Sequence, residues 1–173
     1  MAAMRVVGLD LSLSATGVAD EDGTRVIKVR STGMIRLAEL RDRVCSAAYG
    51  RADLVVIEGY SMGTVRQNSH AHALGELGGV IRLALWEAGM ALVDVAPASL
   101  KRYACGKGNA NKGQVLEAAS KRSGLDFGGD DNRADAWWLR AMALDHYGQA
   151  PVAMPAAHRV ALLAITWPAL AAA

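Results

Sequence analysis

Cysteine occurs only twice in 173 residues, at Cys45 and Cys105. Two are too few for a disulfide framework or a four-cysteine zinc site, and a reducing compartment is the expectation. Aromatic residues make up 5% of the chain, with one phenylalanine. Proline occurs four times, at Pro97, Pro151, Pro155 and Pro168. No run of about 20 uninterrupted apolar residues exists, so no membrane-spanning helix is expected. The first apolar run, Val6-Val7-Gly8-Leu9, is too short for a secretory signal. An excess of one charge sign is also missing: 19 basic and 17 acidic residues leave a net charge of +2.

What is present is apolar. Hydrophobic residues are 52% of the chain and charged residues 21%, which excludes a disordered tail or a coiled-coil rod. The 33 alanines reflect a GC-rich genome more than a function. The length corresponds to one domain. A chain of this size buries roughly 70% of its unfolded surface and folds without a metal or disulfide staple.

Three β-rich runs open the chain: Arg5 to Leu11, Ala15 to Asp20 and Thr24 to Ser31. Asp22-Gly23 between the last two is a hairpin signal, so the three read as an antiparallel meander. Leu37, Leu40, Val44 and Ala47 repeat at helical spacing. Asp53 to Glu58 reads as a buried strand, Ser69 to Ala88 as a helix and Met90 to Val95 as a fifth strand. Pro97 opens a helical turn. Further helices are expected over Lys112 to Ser123 and Asp131 to Tyr147. The order β-β-β-α-β-α-β-α-α describes an α/β fold, one mixed sheet with helices on both faces. Residues 1–150 form this domain. Residues 151–173 read as an apolar extension packed on the body or on a partner subunit.

Sites in such sheets lie at the carboxyl ends of strands. Asp10 and Glu58 each end an apolar run, where a buried, unpaired carboxylate is costly. For either alone the simpler reading is a strand ending in water. Asp131 and Asp135 add two more acids at i and i+4, on one face of a helix, where like charges repel. Convergence of all four would make an all-oxygen site suited to Mg²⁺, with Mn²⁺ as the alternative, rather than zinc. Four carboxylates around two ions form the clamp used for phosphoryl displacement. The small hydroxyl residues of Leu11-Ser12-Leu13-Ser14-Ala15-Thr16 would let a phosphate backbone approach.

Positive charge is concentrated between residues 101 and 122. Lys101, Arg102, Lys107, Lys112, Lys121 and Arg122 stand there against one acid, Glu117. A local basic patch on a nearly neutral chain is the footprint of phosphate contacts. Gly106-Lys107-Gly108 is not a Walker A loop, because no Ser or Thr follows the lysine. Trp137 and Trp138, being adjacent, point in different directions, so core packing is expected for at least one.

Taken in order, Gly8-Leu9-Asp10-Leu11-Ser12 with Thr16-Gly17, Val56-Ile57-Glu58, Pro97-x-x-Leu100-Lys101 with Gly106-Lys107-Gly108, and Asp130-Asp131-Asn132-Arg133-Ala134-Asp135-Ala136 resemble RuvC-like Holliday junction resolvases, the phage-encoded members most closely. The resemblance spans residues 5 to about 148. It implies an RNase H-like fold with a five-stranded mixed sheet, a homodimer, two Mg²⁺ ions per site and cleavage of branched DNA such as four-way junctions, flaps or forks. It also implies bacterial cytoplasm and a phage or prophage gene. The implied metal ligands are Asp10, Glu58, Asp131 and Asp135. Lys101 joins them as a catalytic residue beside the scissile phosphate, and Lys101, Arg102, Lys107, Lys112 and Tyr60 as DNA contacts. Many members place the last two acids three residues apart. Here Asn132 occupies that position, so Asp131 is the assignment and Asp130 the alternative.

Two competing classes remain at this stage. An actin- or sugar-kinase-like nucleotide module also carries an aspartate after its first strand, but position 12 is Ser instead of Gly and the chain is short for two lobes. A non-catalytic branched-DNA binding protein would gain from losing acids near phosphates. For the dimer, the helix from Leu74 to Leu85 and the tail from Val160 to Leu170 are the two candidate surfaces.

Overall fold

A computed structural model describes residues 3–60 and 69–170. Its sheet has strands β1 (Val6–Asp10), β2 (Thr16–Asp20), β3 (Gly23–Ile27), β4 (Leu54–Glu58) and β5 (Leu92–Val95), in the spatial order β3-β2-β1-β4-β5. The first three are antiparallel, whereas β1, β4 and β5 run parallel. Strand β3 stops at Ile27, short of Ser31. The chain beyond it turns back along the first helix, α1 (Gly33–Ala48), where Arg36 Nε donates to the Ser31 carbonyl at 2.6 Å.

Side-chain alternation divides the core into two layers. Val7, Leu9, Val55 and Ile57 face α1 and α2 (Ser69–Glu87), packing on Leu40, Val44, Leu77 and Ile81. Val6, Leu54, Val56, Val93 and Val95 face the opposite layer of α3 (Pro97–Cys105), α4 (Lys112–Ser123) and α5 (Asp131–His146). Asp10 shares the parity of Val6, and Glu58 that of Leu54 and Val56. Both carboxylates therefore point toward α5.

Helix α5 lies hard against the sheet because two glycines make room. A Cβ on Gly8 would sit 2.1 Å from the Ala136 carbonyl oxygen, and one on Gly17 would sit 2.0 Å from that of Asn132. Behind α5, Trp137 and Trp138 are both buried, and the Trp138 indole donates to the Val115 carbonyl at 3.1 Å. Glycine inside a strand marks such close approach.

The tail beyond residue 150 crosses α3 and the end of α5 with a short helix, α6 (Ala156–Arg159), and a 3₁₀ segment (Val160–Ala164). Asp145 is buried and accepts from the Tyr103 hydroxyl at 2.9 Å and from Arg159 Nε at 3.0 Å. Trp167 stacks on His146 with ring centroids 4.7 Å apart. Residues 171–173 of the extension lie outside the described residues. Among the described residues no helix is long and apolar enough to cross a membrane.

Candidate active site

Parallel pairing of β1 with β4 sets Gly8 beside Val56 and Leu9 beside Ile57, so Asp10 and Glu58 leave adjacent strands side by side. Asp10 is 8% exposed. Burial first, then the charges of Glu58 and Asp135, holds its carboxyl far above the usual carboxylate range. Burial also raises Glu58, against the lowering effect of Lys101 and Lys112. Asp135, one helical turn into α5, is pushed up to about 7 by burial and by Glu58.

Asp131 behaves differently. It forms an ion pair with Lys112, which keeps its pKa below the usual range. The flanking Asp130 serves as the N-cap of α5, accepting from the Arg133 amide at 3.2 Å. The Asp131 charge in turn raises Asp10 and Asp135. Lys112 itself opens α4, behind a capping box in which Asn111 Oδ1 accepts from the Gln114 amide at 2.9 Å and Gln114 Oε1 from the Asn111 amide at 3.1 Å.

The fold thus gathers Asp10, Glu58, Asp131 and Asp135 with two lysines. Lys112 lowers the carboxyl pKa values of Asp10, Glu58 and Asp135, and Lys101 those of Glu58 and Asp135. The remaining basic residues disperse. Lys107 lies by Cys105, Lys121 pairs with Glu117 at 2.6 Å, and Arg122 reaches the Ala153 carbonyl at 3.5 Å. Arg102 is exposed in the last turn of α3. Tyr60 is 43% exposed, but its hydroxyl is tied to α2, donating to the Gly75 carbonyl at 3.2 Å. Tyr60 also accepts from Arg82 Nη1 at 3.2 Å. At Gly78 what fills the space is the Tyr60 hydroxyl, 1.7 Å from where a Cβ would lie.

Among the described residues no three carboxylate, histidine or cysteine side chains converge as a ready-made metal cage. Asp131 is paired with Lys112. The chemistry of the donor set nevertheless fits a hard divalent cation. It is all oxygen, and the charges of Glu58 and Asp131 raise the pKa of both Asp10 and Asp135, which bound positive charge would relieve.

Loop geometry beside Asp10 supports access. Thr16 Oγ1 donates to the Ser12 carbonyl at 2.8 Å and accepts from the Ser12 amide at 3.1 Å, fixing the turn between β1 and β2.

A pH prediction follows from Asp135. Its folded pKa lies above its unfolded value, so the folded state holds the proton more tightly. The stability this contributes is complete below about pH 4 and is lost as pH rises through about 7. In EDTA, the melting temperature of wild type should fall from pH 5 to 8 more than that of Asp135→Asn. Equal slopes for the two proteins would refute the shift.

No protein-family model matches the chain. Among curated proteins, it is 29% identical over 163 residues to the crossover junction endodeoxyribonuclease RuvC of Rhodococcus jostii, covering 86% of this chain and 84% of that one. It is 28% identical over 122 residues to the RuvC of Azorhizobium caulinodans, covering 65% of this chain and 72% of the relative. The Thermus thermophilus RuvC structure in complex with a Holliday junction superimposes with a TM-score of 0.67 at 21% identity, over 86% of this chain and 98% of that one. The chain is similar to RuvC. Its five-stranded mixed sheet, flanked by helices on both faces, has the fold of the Thermus RuvC structure. In this RuvC-like frame the four acids and two lysines gather at the carboxyl ends of β1 and β4 and the start of α5.

Proposed function

We propose that the protein is a Mg²⁺-dependent endonuclease that cuts branched DNA, four-way junctions foremost, with Asp10, Glu58, Asp131 and Asp135 as its metal-binding acids. The observation that carries this is the crowding of Asp10, Glu58 and Asp135, each raised by burial, with Glu58 raising Asp10 and Asp135 further. A fold that buries mutually repelling acids at its strand ends gains nothing structural from them. The names of both curated relatives and the junction-bound Thermus structure support the substrate.

When bound, two divalent ions would supply Lewis acidity and an activated water. The chain's own residues do the rest. Asp10 and Glu58 hold fixed positions at the ends of buried strands, and the Ser12–Thr16 turn leaves a phosphate room to approach. Lys101 and Lys112 place positive charge beside the acids, where a phosphodiester would otherwise be repelled. Ca²⁺ is a poor substitute in this reading, and Mn²⁺ a good one.

The active species we infer is a homodimer. One chain offers one acid cluster, and two strands of a junction must be cut; a two-fold dimer offers two clusters to a substrate of matching symmetry. Leu83 and Trp86 on α2 are 55% and 69% exposed, an apolar face available to a second copy. The cellular setting is bacterial cytoplasm, as for the bacterial relatives, and the sequence resemblance to phage members points to a phage or prophage gene.

The test is a labelled four-way junction beside a linear duplex of the same sequence, both in Mg²⁺. Paired nicks in strands of like polarity, in the junction alone, are expected. An intact junction, or equal cutting of the duplex, would overturn the proposal. Sedimentation of the same samples should give a dimeric mass.

Lys101, Lys107 and Lys112 are assigned to the DNA backbone. Each alanine variant should reduce the slope of log affinity against log salt by about 0.9. An unchanged slope in the triple variant would remove the assignment.

A further inference from the structure

We propose that Arg82 is a positioning residue for Glu58, acting through the main chain from the far face of the sheet; this rests on Glu58 being part of the metal-binding site. The Arg82 guanidinium spends every nitrogen at the carboxyl ends of β4 and β5. Nη2 donates to the Glu58 carbonyl oxygen at 3.4 Å. Nη1 donates to the Tyr60 hydroxyl at 3.2 Å. Nε and Nη2 reach Asp94 Oδ1 at 2.9 and 2.5 Å. The guanidinium carbon also lies 5.0 Å from the centre of the Tyr60 ring. Arg82 is largely shielded, its side chain 20% exposed, although Asp94 is 58% exposed.

The arrangement is more than a surface ion pair. Glu58 and Gly59 are the last residues of β4 that the sheet holds: Glu58 pairs with Val95, and the Gly59 amide donates to the Val95 carbonyl at 2.8 Å. Beyond them the ladder ends, and among the described residues Arg82 holds the strand end through the Glu58 carbonyl and the Tyr60 hydroxyl. The Glu58 carboxylate points to the α5 side, whereas Arg82 comes from α2 on the other side. Arg82 therefore touches neither the reacting atoms nor the other acids. What it sets is the direction in which Glu58 leaves the sheet. Gly78 completes the device, because a Cβ there would overlap the Tyr60 hydroxyl at 1.7 Å and crowd Arg82 Nη1 at 2.5 Å.

Partners behind a metal ligand typically govern 10–100-fold in metal affinity or activity. The experiment compares wild type with Arg82→Ala, Arg82→Lys and Gly78→Ala. Gly78 lies inside a helix, where alanine is the better helix former, so α2 should stay folded while the clamp is displaced. Three quantities are read: the melting temperature, Mn²⁺ binding to the DNA-free protein by electron paramagnetic resonance, and single-turnover junction cleavage against Mg²⁺ concentration. Arg82→Ala and Gly78→Ala should weaken Mn²⁺ binding about 10-fold and raise the Mg²⁺ needed for half-maximal cleavage similarly. Junction affinity in EDTA should stay within about twofold, and Arg82→Lys should recover part of the loss. Unchanged Mn²⁺ binding in both variants would overturn the proposal, as would a loss seen only where the melting temperature collapses. If wild type binds Mn²⁺ and the variants lose it, yet no protein cuts junctions, Arg82 keeps its role and the nuclease reading fails instead.

Discussion

Replacing Asp10 by asparagine should abolish cleavage and, at the same time, raise the melting temperature of the metal-free protein. The two effects share one cause. Asp10 is buried against Glu58 and Asp135, and its charged form is opposed by burial and by both neighbours. Asparagine has nearly the same shape and cannot ionise. The folded state therefore no longer holds an ionisable group whose charged form it opposes. In function the same change removes a cation ligand. A loss of at least about 10³-fold, or about 4 kcal/mol of transition-state stabilisation, is expected in Mg²⁺. Junction affinity in EDTA should be equal or tighter, because a negative charge facing phosphate has gone. Glu58→Gln should lose cleavage in the same way. Melting curves in EDTA and single-turnover rates check both halves. Near-normal turnover, or a lower melting temperature, would show that Asp10 is an ordinary structural acid.

Gly8→Ala should be among the most damaging methyl additions to the sheet. The new Cβ would stand 2.1 Å from the Ala136 carbonyl oxygen and 2.8 Å from the Arg140 nitrogen. Both are helix backbone, which cannot rotate out of the way, so α5 must lift off β1. Overpacking of this kind costs about 1–3 kcal/mol, more where nothing can yield. For a chain of this length 3 kcal/mol lowers the melting temperature by about 6–12 °C. Cleavage should fall further than stability, since α5 carries Asp131 and Asp135 toward Asp10. Gly17→Ala, facing the Asn132 carbonyl at 2.0 Å, should behave alike. A Gly8→Ala protein that melts within a degree of wild type would contradict the packing described.

How much of this was legible in the sequence depends on the distance over which each signal acts. Asp10 and Glu58 stood out because an acid ending a continuous apolar run is a local anomaly. Helix α4 begins and ends where the sequence places it, since Asn111, Gln114 and Gly124 are local capping signals. The Lys112–Asp131 pair was not legible: 19 residues and a turn separate its members, and only the docking of α4 on α5 joins them. The basic segment looked like one patch because charge was summed along the chain. Lys112 and Lys121 are nine residues apart on one helix, which is two and a half turns, so they must face opposite ways. Gly8 and Gly17 were visible as glycines within strands, but the helix each admits lies more than a hundred residues away. Arg82 carried no signal at all, being one arginine among the polar positions of α2.

The measurement that bears most directly on the account is a metal trigger on a preformed complex. Protein and labelled four-way junction are mixed in EDTA until binding is complete, and Mg²⁺ is then added in excess. The account predicts no product in EDTA and paired nicks after the addition, with none from Asp10→Asn under the same conditions. Nicks appearing in EDTA, or no nicks after either Mg²⁺ or Mn²⁺, would contradict it.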